Sequence, residues 1–228
     1  DDLDDLVAVP GTDLRMGKYP VTNTQFKRFV DAGGYKAESE RRWWSEEARK
    51  YKQKYGYRAP WSFGARRFSG STQPAIVSWY EAEAYCAWLA AARQHGDIGA
   101  GETVRLPTQA EWEAAARNGR PAPANKDADY PWRGPFDSDR ANTQESSLGQ
   151  TTPVHMYPQG ATPGGIHDLA GNVWEWTGDL QSRDMDGDAW YWIKGGSWAA
   201  GADSARASAA DWYFAYDRDD DLGFRVVV

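Results

Sequence analysis

The C-terminal stretch of the chain decides the fold: it opens with Lys194-Gly195-Gly196-Ser197-Trp198 and closes with Gly223-Phe224-Arg225-Val226-Val227-Val228. Two adjacent glycines before Ser-Trp are typical of a strand edge where backbones approach closely or φ turns positive. The apolar alternation from Leu222 to Val228 predicts a half-buried strand. Between them, Ala199 to Asp221 follows neither the helical nor the strand period. We therefore predict a structural frame, residues 194–198 and 223–228, that carries a solvent-facing stretch, residues 199–221, which we call the tail.

The composition predicts one large, loop-rich domain with an aromatic core. The chain has 228 residues, a mean hydropathy of −0.77, and 13 Trp, 12 Tyr and 7 Phe. A domain of this length can bury roughly 70% of its unfolded surface, and each large ring contributes much of that area. We expect a single domain over residues 1–228 in which rings pin short elements and loops.

The charge and the apolar pattern argue against two classes of partner. A net charge of −7 and a pI of about 5.0 do not favour nucleic acid, because phosphate binding needs a basic footprint. The sequence has no apolar run of about twenty residues and no secretory segment, so we expect no membrane partner and no signal peptide. The default expectation for location is the cytoplasm, or a part of a longer chain.

Three capping boxes predict helices in the first half of the chain. In each, a Gln or Glu follows a Ser or Thr by three residues, the spacing at which the two side chains cap each other's backbone. The pairs are Thr22 with Gln25, Ser78 with Glu81, and Thr108 with Glu111. The second helix carries the single cysteine, Cys86, on its apolar stripe, so we expect an inert buried thiol.

The segment 35–73 is polar, basic and rich in rings, and we predict a long insertion with one helix from Ser45 to Tyr55. Basic residues between aromatics also occur in nucleic-acid platforms. In an acidic protein, rings that pack on the core while their charges stay in water are the more frequent case. Short Trp-, Tyr- and Val-rich runs after Gly165 predict antiparallel strands. The predicted class is α+β, with early helices packed on short antiparallel sheets.

Six motifs occur in order along the chain. They are Pro20-Val21-Thr22-Asn23, Val77-Ser78-Trp79-Tyr80-Glu81-Ala82, Arg105-Leu106-Pro107-Thr108, Gly171-Asn172-Val173-Trp174-Glu175-Trp176, Lys194-Gly195-Gly196-Ser197-Trp198 and Gly223-Phe224-Arg225. Together they resemble the formylglycine-generating-enzyme (sulfatase-modifying factor) superfamily, and the resemblance spans nearly the whole chain. It implies a C-type-lectin-like fold.

That superfamily includes oxidases, ergothioneine-type sulfoxide synthases, and non-enzymatic variable proteins of diversity-generating retroelements. The oxidases use paired cysteines shortly after the Gly-Gly-Ser-aromatic motif, a region that contains no cysteine here. The sulfoxide synthases bring three iron ligands from an added helical domain with closely spaced histidines. This chain has only His95, His155 and His167, far apart, although a site with two of them stays open.

The variable proteins fit the composition of the tail. In domains of this superfamily the stretch between Gly-Gly-Ser-Trp and Gly-Phe-Arg is commonly Asn-rich. The variable proteins are diversified at template adenines, and such changes alone convert an Asn codon to Asp, Ala, Gly, Ser, Tyr or Phe. No Asn follows Asn172, and those replacement residues dominate Ala199 to Asp221. We therefore predict a variable region at about 190–225, although an ordinary divergent family member could have the same composition.

The tail also has the composition of a recognition surface, because rings beside acids give rigid contact area at low entropic cost. We predict non-catalytic binding of a protein ligand that carries basic groups, with no cofactor required. The alternative is a divergent formylglycine-generating-enzyme-like oxidoreductase with an unrecognised active site, and any single ring could instead close the core. The predicted ligand-binding residues are Tyr191, Ala199, Ala200, Gly201, Ser204, Ala209, Asp211, Trp212, Tyr213, Phe214, Tyr216, Asp219 and Asp220.

The resemblance also implies a structural calcium site. Family members can hold calcium near the positions that match Asn142, Asn172 and Glu175. The alternative is that Asn172 and Glu175 bond to loop backbone. The run Asp184-Met185-Asp186-Gly187-Asp188 imitates the start of a calcium loop but lacks the closing Glu, so we predict an acidic turn there.

Overall fold

The computed structural model describes residues 5–93 and 103–228. Strands β1 (Leu6–Ala8) and β2 (Arg15–Gly17) form an N-terminal antiparallel hairpin. The helices are α1 (Asn23–Asp31), α2 (Ala37–Trp43), α3 (Glu46–Tyr55), α4 (Trp79–Arg93) and α5 (Gln109–Ala116). Within the described ranges, no helix has both the length and the apolar character needed to cross a membrane. Helices therefore precede the main sheet, as the α+β class predicts.

The three capping boxes are confirmed. The hydroxyl of Thr22 accepts from the backbone N–H of Gln25, and that of Thr108 accepts from Glu111, with both reciprocal bonds present. The backbone N–H of Ser78 donates to the Glu81 carboxylate at 2.9 Å, and the Glu81 N–H donates back to the Ser78 hydroxyl at 3.3 Å. Each box satisfies N–H groups that the first helical turn would otherwise leave unpaired.

The segment 35–73 contains two helices where one was predicted. Helix α3 has Ser45 as its N-cap and ends at Gly56, whose φ of 68° lies in the left-handed region. Helix α2 was missed because its N-cap, Lys36, makes no side-chain capping bond and because its sequence, AESERRW, has no apolar period.

The main sheet has the strand order β5-β4-β3-β6. Strands β3 (Trp174–Arg183), β4 (Ala189–Lys194) and β5 (Ala210–Phe214) are antiparallel neighbours, and β6 (Leu222–Gly223) pairs parallel to β3. Strand β5 is thus an edge strand. It contains four of the residues predicted to bind a ligand, Asp211, Trp212, Tyr213 and Phe214.

The prediction of a half-buried strand from Leu222 to Val228 is wrong. Only Leu222 and Gly223 join the sheet, and every residue from Leu222 to Val227 is buried. After β6 the chain forms isolated bridges from Val227 to Met16 and to Arg105, so it runs between the N-terminal hairpin and the start of α5. Partners on both sides remove the alternation of exposure that a half-buried strand requires.

The frame around the tail is fixed by an aromatic core and a buried ion pair. The rings of Phe26 and Tyr85 stack at 5.3 Å, and the Phe224 ring meets Phe26 edge-on at 6.1 Å. Arg225, which is fully buried, holds the Glu175 carboxylate through two bonds of 2.6 Å. An aromatic core was predicted from composition and is found.

The Gly195-Gly196 pair has the role that its sequence predicts. Both residues have positive φ, 98° and 71°. A Cβ at Gly196 would lie 2.9 Å from the carbonyl carbon of Ser204 and 3.0 Å from the backbone nitrogen of Ala205. Only glycine therefore allows the backbone of residues 202–205 to approach this closely.

Candidate functional site

All thirteen predicted ligand-binding residues have solvent access, and none is buried. Trp212 is 42% exposed and is among the most exposed large rings that the structure describes. The frame and the tail thus differ in burial as the sequence analysis expects. Their role in binding a ligand stays a prediction, because exposure shows only that the side chains are available.

The structure divides these residues between the two faces of the sheet edge. Strand β5 pairs with β4 so that Tyr213 lies opposite Tyr191, and Trp212 lies opposite Trp192. Since side chains alternate along a strand, Asp211 and Tyr213 share one face with Tyr191. Trp212 and Phe214 share the other face. The thirteen residues therefore do not form one continuous patch.

On the face of Trp212, four rings cover the sheet. The Trp192 and Trp212 rings meet edge-on at 5.5 Å, and the Trp190 and Phe214 rings lie 3.7 Å apart. Tyr216 continues this array by stacking on Phe214 at 4.9 Å. This outer face is therefore an aromatic surface on an edge strand.

On the opposite face, Tyr213 lies among acidic side chains. Burial and the neighbouring carboxylates of Asp221, Asp219 and Asp211 raise the pKa of Tyr213 to about 12. Burial, together with Asp219, raises the pKa of Asp217 to about 6. These shifts show that negative charge is concentrated around one phenol ring, which favours a cationic neighbour.

The short segment Ala199 to Ser204 forms a separate part of the tail. The backbone N–H of Gln144 donates to the Ala200 carbonyl at 3.0 Å, and the N–H of Ala202 donates to the Glu145 carboxylate at 2.8 Å. The Trp198 indole joins this part to Asp220, whose carbonyl it bonds at 3.3 Å. Ala209 lies apart from it, directly before β5.

Sequence reasoning missed the side chains that attach the tail to α4. Arg218 donates from Nε to the Glu81 carboxylate at 2.7 Å, and its second bond comes from Nη2. Tyr35 also donates to Glu81, which is fully buried, and the Arg218 guanidinium lies 3.5 Å above the Tyr57 ring. The capping box identifies Glu81, but no local signal points to an arginine 137 residues later.

Segment 35–73 packs against the tail as well as the core. Trp43, Trp44, Tyr57 and Phe68 are buried, as the prediction of rings packed on the core requires. Tyr55, by contrast, is exposed and stacks on Tyr216 at 5.1 Å. This segment therefore supplies part of the surface on which the tail rests, a role that the sequence did not indicate.

The predicted calcium residues do not converge on one point. Asn142 and Asn172 are neighbours, and the Asn172 amide oxygen accepts the Thr152 N–H at 2.9 Å. The Glu175 oxygens are taken by Arg225 and by the Trp112 indole at 2.7 Å. The alternative of bonds to loop backbone describes Asn172 but not Glu175, whose partners are side chains. Calcium binding stays a prediction.

Within the described part of the chain, no group of three or more His, Cys, Asp or Glu side chains could hold a metal ion. The His167 ring packs on Tyr19 at 4.8 Å, and burial lowers its pKa. Cys86 is buried and burial raises the pKa of its thiol, as expected for an inert core residue. His95 lies outside the described residues.

The fold matches that of a solved protein structure. Treponema denticola variable protein 1 superposes with a TM-score of 0.63 over 94% of this chain and 84% of that protein. The two sequences are 20% identical, so this likeness shows the fold alone. It agrees with the predicted C-type-lectin-like architecture.

Curated relatives correct the functional prediction. The hercynine oxygenase of Mycobacterium tuberculosis is 34% identical over 249 residues, which covers 97% of this chain and 53% of the relative. The inactive C-alpha-formylglycine-generating enzyme 2 of Bos taurus is 32% identical over 245 residues, with 91% and 74% covered. The chain spans about half the length of the hercynine oxygenases that it matches.

The prediction of a non-catalytic binding protein is therefore wrong, because the hercynine oxygenases among these relatives are named as enzymes. It rested on the missing cysteines, on the wide spacing of the histidines and on the composition of residues 199–221. The missing cysteines exclude only the chemistry that needs them. The family itself is shown by a match of residues 7–228 to the model described as "Sulfatase-modifying factor enzyme 1-like domain". The chain belongs to that family.

Proposed function

We propose that this chain is the sulfatase-modifying-factor-like part of an oxidoreductase of the hercynine oxygenase type. The observation that carries the proposal is the 34% identity over 97% of the chain. Since the chain covers about half of that relative, the described residues would supply only part of a complete active site. Their part is to bind and orient a substrate.

The acidic face around Tyr213 supports a cationic substrate. Hercynine is a betaine with a quaternary ammonium group, and such groups are attracted by aromatic rings and by carboxylates. Asp211 and Asp219 are exposed, and their charges both act on the Tyr213 phenol. A quaternary ammonium group at this face would contact a ring and lie near two carboxylates that no ion pair neutralises within the described chain.

A resemblance to the sulfoxide synthases of the superfamily implies iron held by histidines of an added helical domain, and the described residues do not fit that role. No metal-binding cluster of three side chains is present among them. In this proposal the metal ligands are therefore contributed from outside the described residues, and the acidic face positions the substrate. The predicted protein partner remains a separate, untested expectation.

The proposal is tested by titrating the chain with hercynine and with histidine, which lacks the quaternary ammonium group. We expect hercynine to bind more tightly. We expect Asp211→Asn with Asp219→Asn to weaken its binding about thirtyfold, because each lost charge contributes about 1 kcal/mol where water screens it. Trp212→Ala is the matched control, since Trp212 lies on the other face. Equal affinity for hercynine and histidine would rule out a substrate site at the acidic face. A larger loss of hercynine affinity in the Trp212 variant than in the aspartate variant would rule it out as well.

A further inference from the structure

A large cavity lies in the segment that holds α2 and α3, and none of its lining residues belongs to the acidic face. Its volume is about 990 Å³, within the range of small-molecule sites. Six cationic side chains line it, together with two carboxylates, those of Glu40 and Glu46. The cations are Lys36, Arg41, Arg49, Lys50, Lys52 and Arg58.

This concentration of positive charge runs against the charge of the whole chain. The cavity has an excess of four positive charges, whereas the chain carries −7. Like charges that converge on one concave surface repel each other, and that repulsion is relieved when an anion binds between them. Solvation alone requires only a surface on which positive and negative side chains are mixed. The cavity differs from such a surface because positive charge predominates in it.

The internal ion pairs neutralise only part of this charge. Lys52 is 7% exposed, and its ammonium group bonds the Glu40 carboxylate and the Tyr35 carbonyl. Lys50 lies 3.5 Å from Glu46, and both side chains are exposed, so this pair is weak. Glu40 and Glu46 are thus already engaged by lysines.

The arginines remain available to a ligand. Arg49 makes one bond of 3.1 Å, from Nη1 to the Trp44 carbonyl. Arg41 and Arg58 are exposed, and the described residues offer neither of them an ion-pair partner. Guanidinium groups bind carboxylate and phosphate oxygens through two parallel hydrogen bonds. Three such groups on one cavity match a ligand with several anionic groups.

We propose that this cavity binds a small polyanion, a soluble compound with two or more carboxylate or phosphate groups. Lys52, held in place by Glu40, forms the fixed base of the site, and Arg41, Arg49 and Arg58 contact the anionic groups. This inference does not rest on the proposed function, because the residues involved are not those of the acidic face.

Calorimetric titration with citrate, pyrophosphate and inorganic phosphate at about 0.15 M salt tests the proposal, since exposed charges are largely screened under those conditions. We expect citrate or pyrophosphate to bind more tightly than phosphate. The double variant Arg41→Gln with Arg58→Gln should weaken that binding about tenfold, because two exposed charge pairs with the ligand are lost and each contributes a few-fold in affinity. Both residues are exposed and unpaired in the described chain, so the variant should fold.

The matched control is Lys126→Gln with Arg133→Gln, which removes two exposed charges outside this cavity. Equal weakening in the control would show a general charge effect and would overturn the proposal. Absence of binding by all three anions would overturn it as well. A hexa-aspartate peptide that binds more tightly than citrate would show that an acidic protein segment is the occupant, and the small-ligand proposal would then be wrong.

Discussion

Replacing Arg218 by methionine should detach the tail from α4 and destabilise the protein. Arg218 makes two bonds to Glu81, which is fully buried, and its guanidinium covers the Tyr57 ring at 3.5 Å. Loss of one partner of a buried ion pair costs roughly 3–5 kcal/mol. Here Glu81 keeps its bonds from Ser78 and Tyr35, so we expect the lower part of that range, about 3 kcal/mol.

Urea denaturation measures this change directly, and for a chain of this length about 3 kcal/mol corresponds to a drop in Tm of roughly 6–12 °C. Arg133→Met is the control, because Arg133 is exposed. The double variant Glu81→Gln with Arg218→Met should cost less than the sum of the two single changes, since both remove the same interaction. A loss below about 1 kcal/mol for Arg218→Met would contradict the inference that this pair anchors the tail.

Two further predictions concern Asp221, the last residue of the tail, and Gly196 in the frame. Asp221→Asn should stabilise the protein by about 3 kcal/mol at pH 8, because burial raises the pKa of Asp221 to about 6 from its ordinary value. The folded state binds the Asp221 proton more tightly than the unfolded state. The extra free energy of unfolding of the variant should therefore be absent at pH 4 and should appear as pH rises from about 4 to 6. Urea titrations that show the same extra stability at every pH would contradict this cause. Gly196→Ala should destabilise the protein by at least about 1–2 kcal/mol, because φ is 71° and the new Cβ would meet Ser204 backbone. Unchanged thermal unfolding of that variant would show that the close approach relaxes freely.

Local signals in the sequence predicted the local structure. Each capping box needs only four consecutive residues, so Thr22, Ser78 and Thr108 could be identified as helix starts without tertiary information. Helix α2 has no such signal at Lys36, and it forms where its buried Trp43 packs on the Phe29 ring at 5.7 Å. Packing across the fold determines this helix, and a single sequence does not show that packing.

Long-range contacts account for the main errors. The strand from Leu222 to Val228 was predicted from alternation, but Arg225 is buried because Glu175 receives it, and the two residues are 50 positions apart. The attachment of Arg218 to Glu81 was missed for the same reason. The sequence identified Glu81 and Glu175 within motifs, yet it could not indicate which distant arginine each one binds.

The error about function has a different cause. The predicted ligand-binding residues are solvent-accessible, as expected, but their assignment to a non-catalytic binding protein was wrong. Ser197 and Asp221 bond at 2.6 Å, and Arg218 is bound to Glu81 of α4, so two contacts hold the C-terminal end of the tail in place. Tyr213 and Tyr216 pack partly on the core, whereas exposed side chains such as Asp211 can differ at low cost whether the surface contacts a protein or a substrate. Exposure alone does not distinguish a binding protein from an enzyme. The charge does not distinguish them either, because the carboxylates around Tyr213 would attract a small cationic substrate and a basic group of a protein alike. The relatives named as oxygenases are what overturn the prediction of a binding protein.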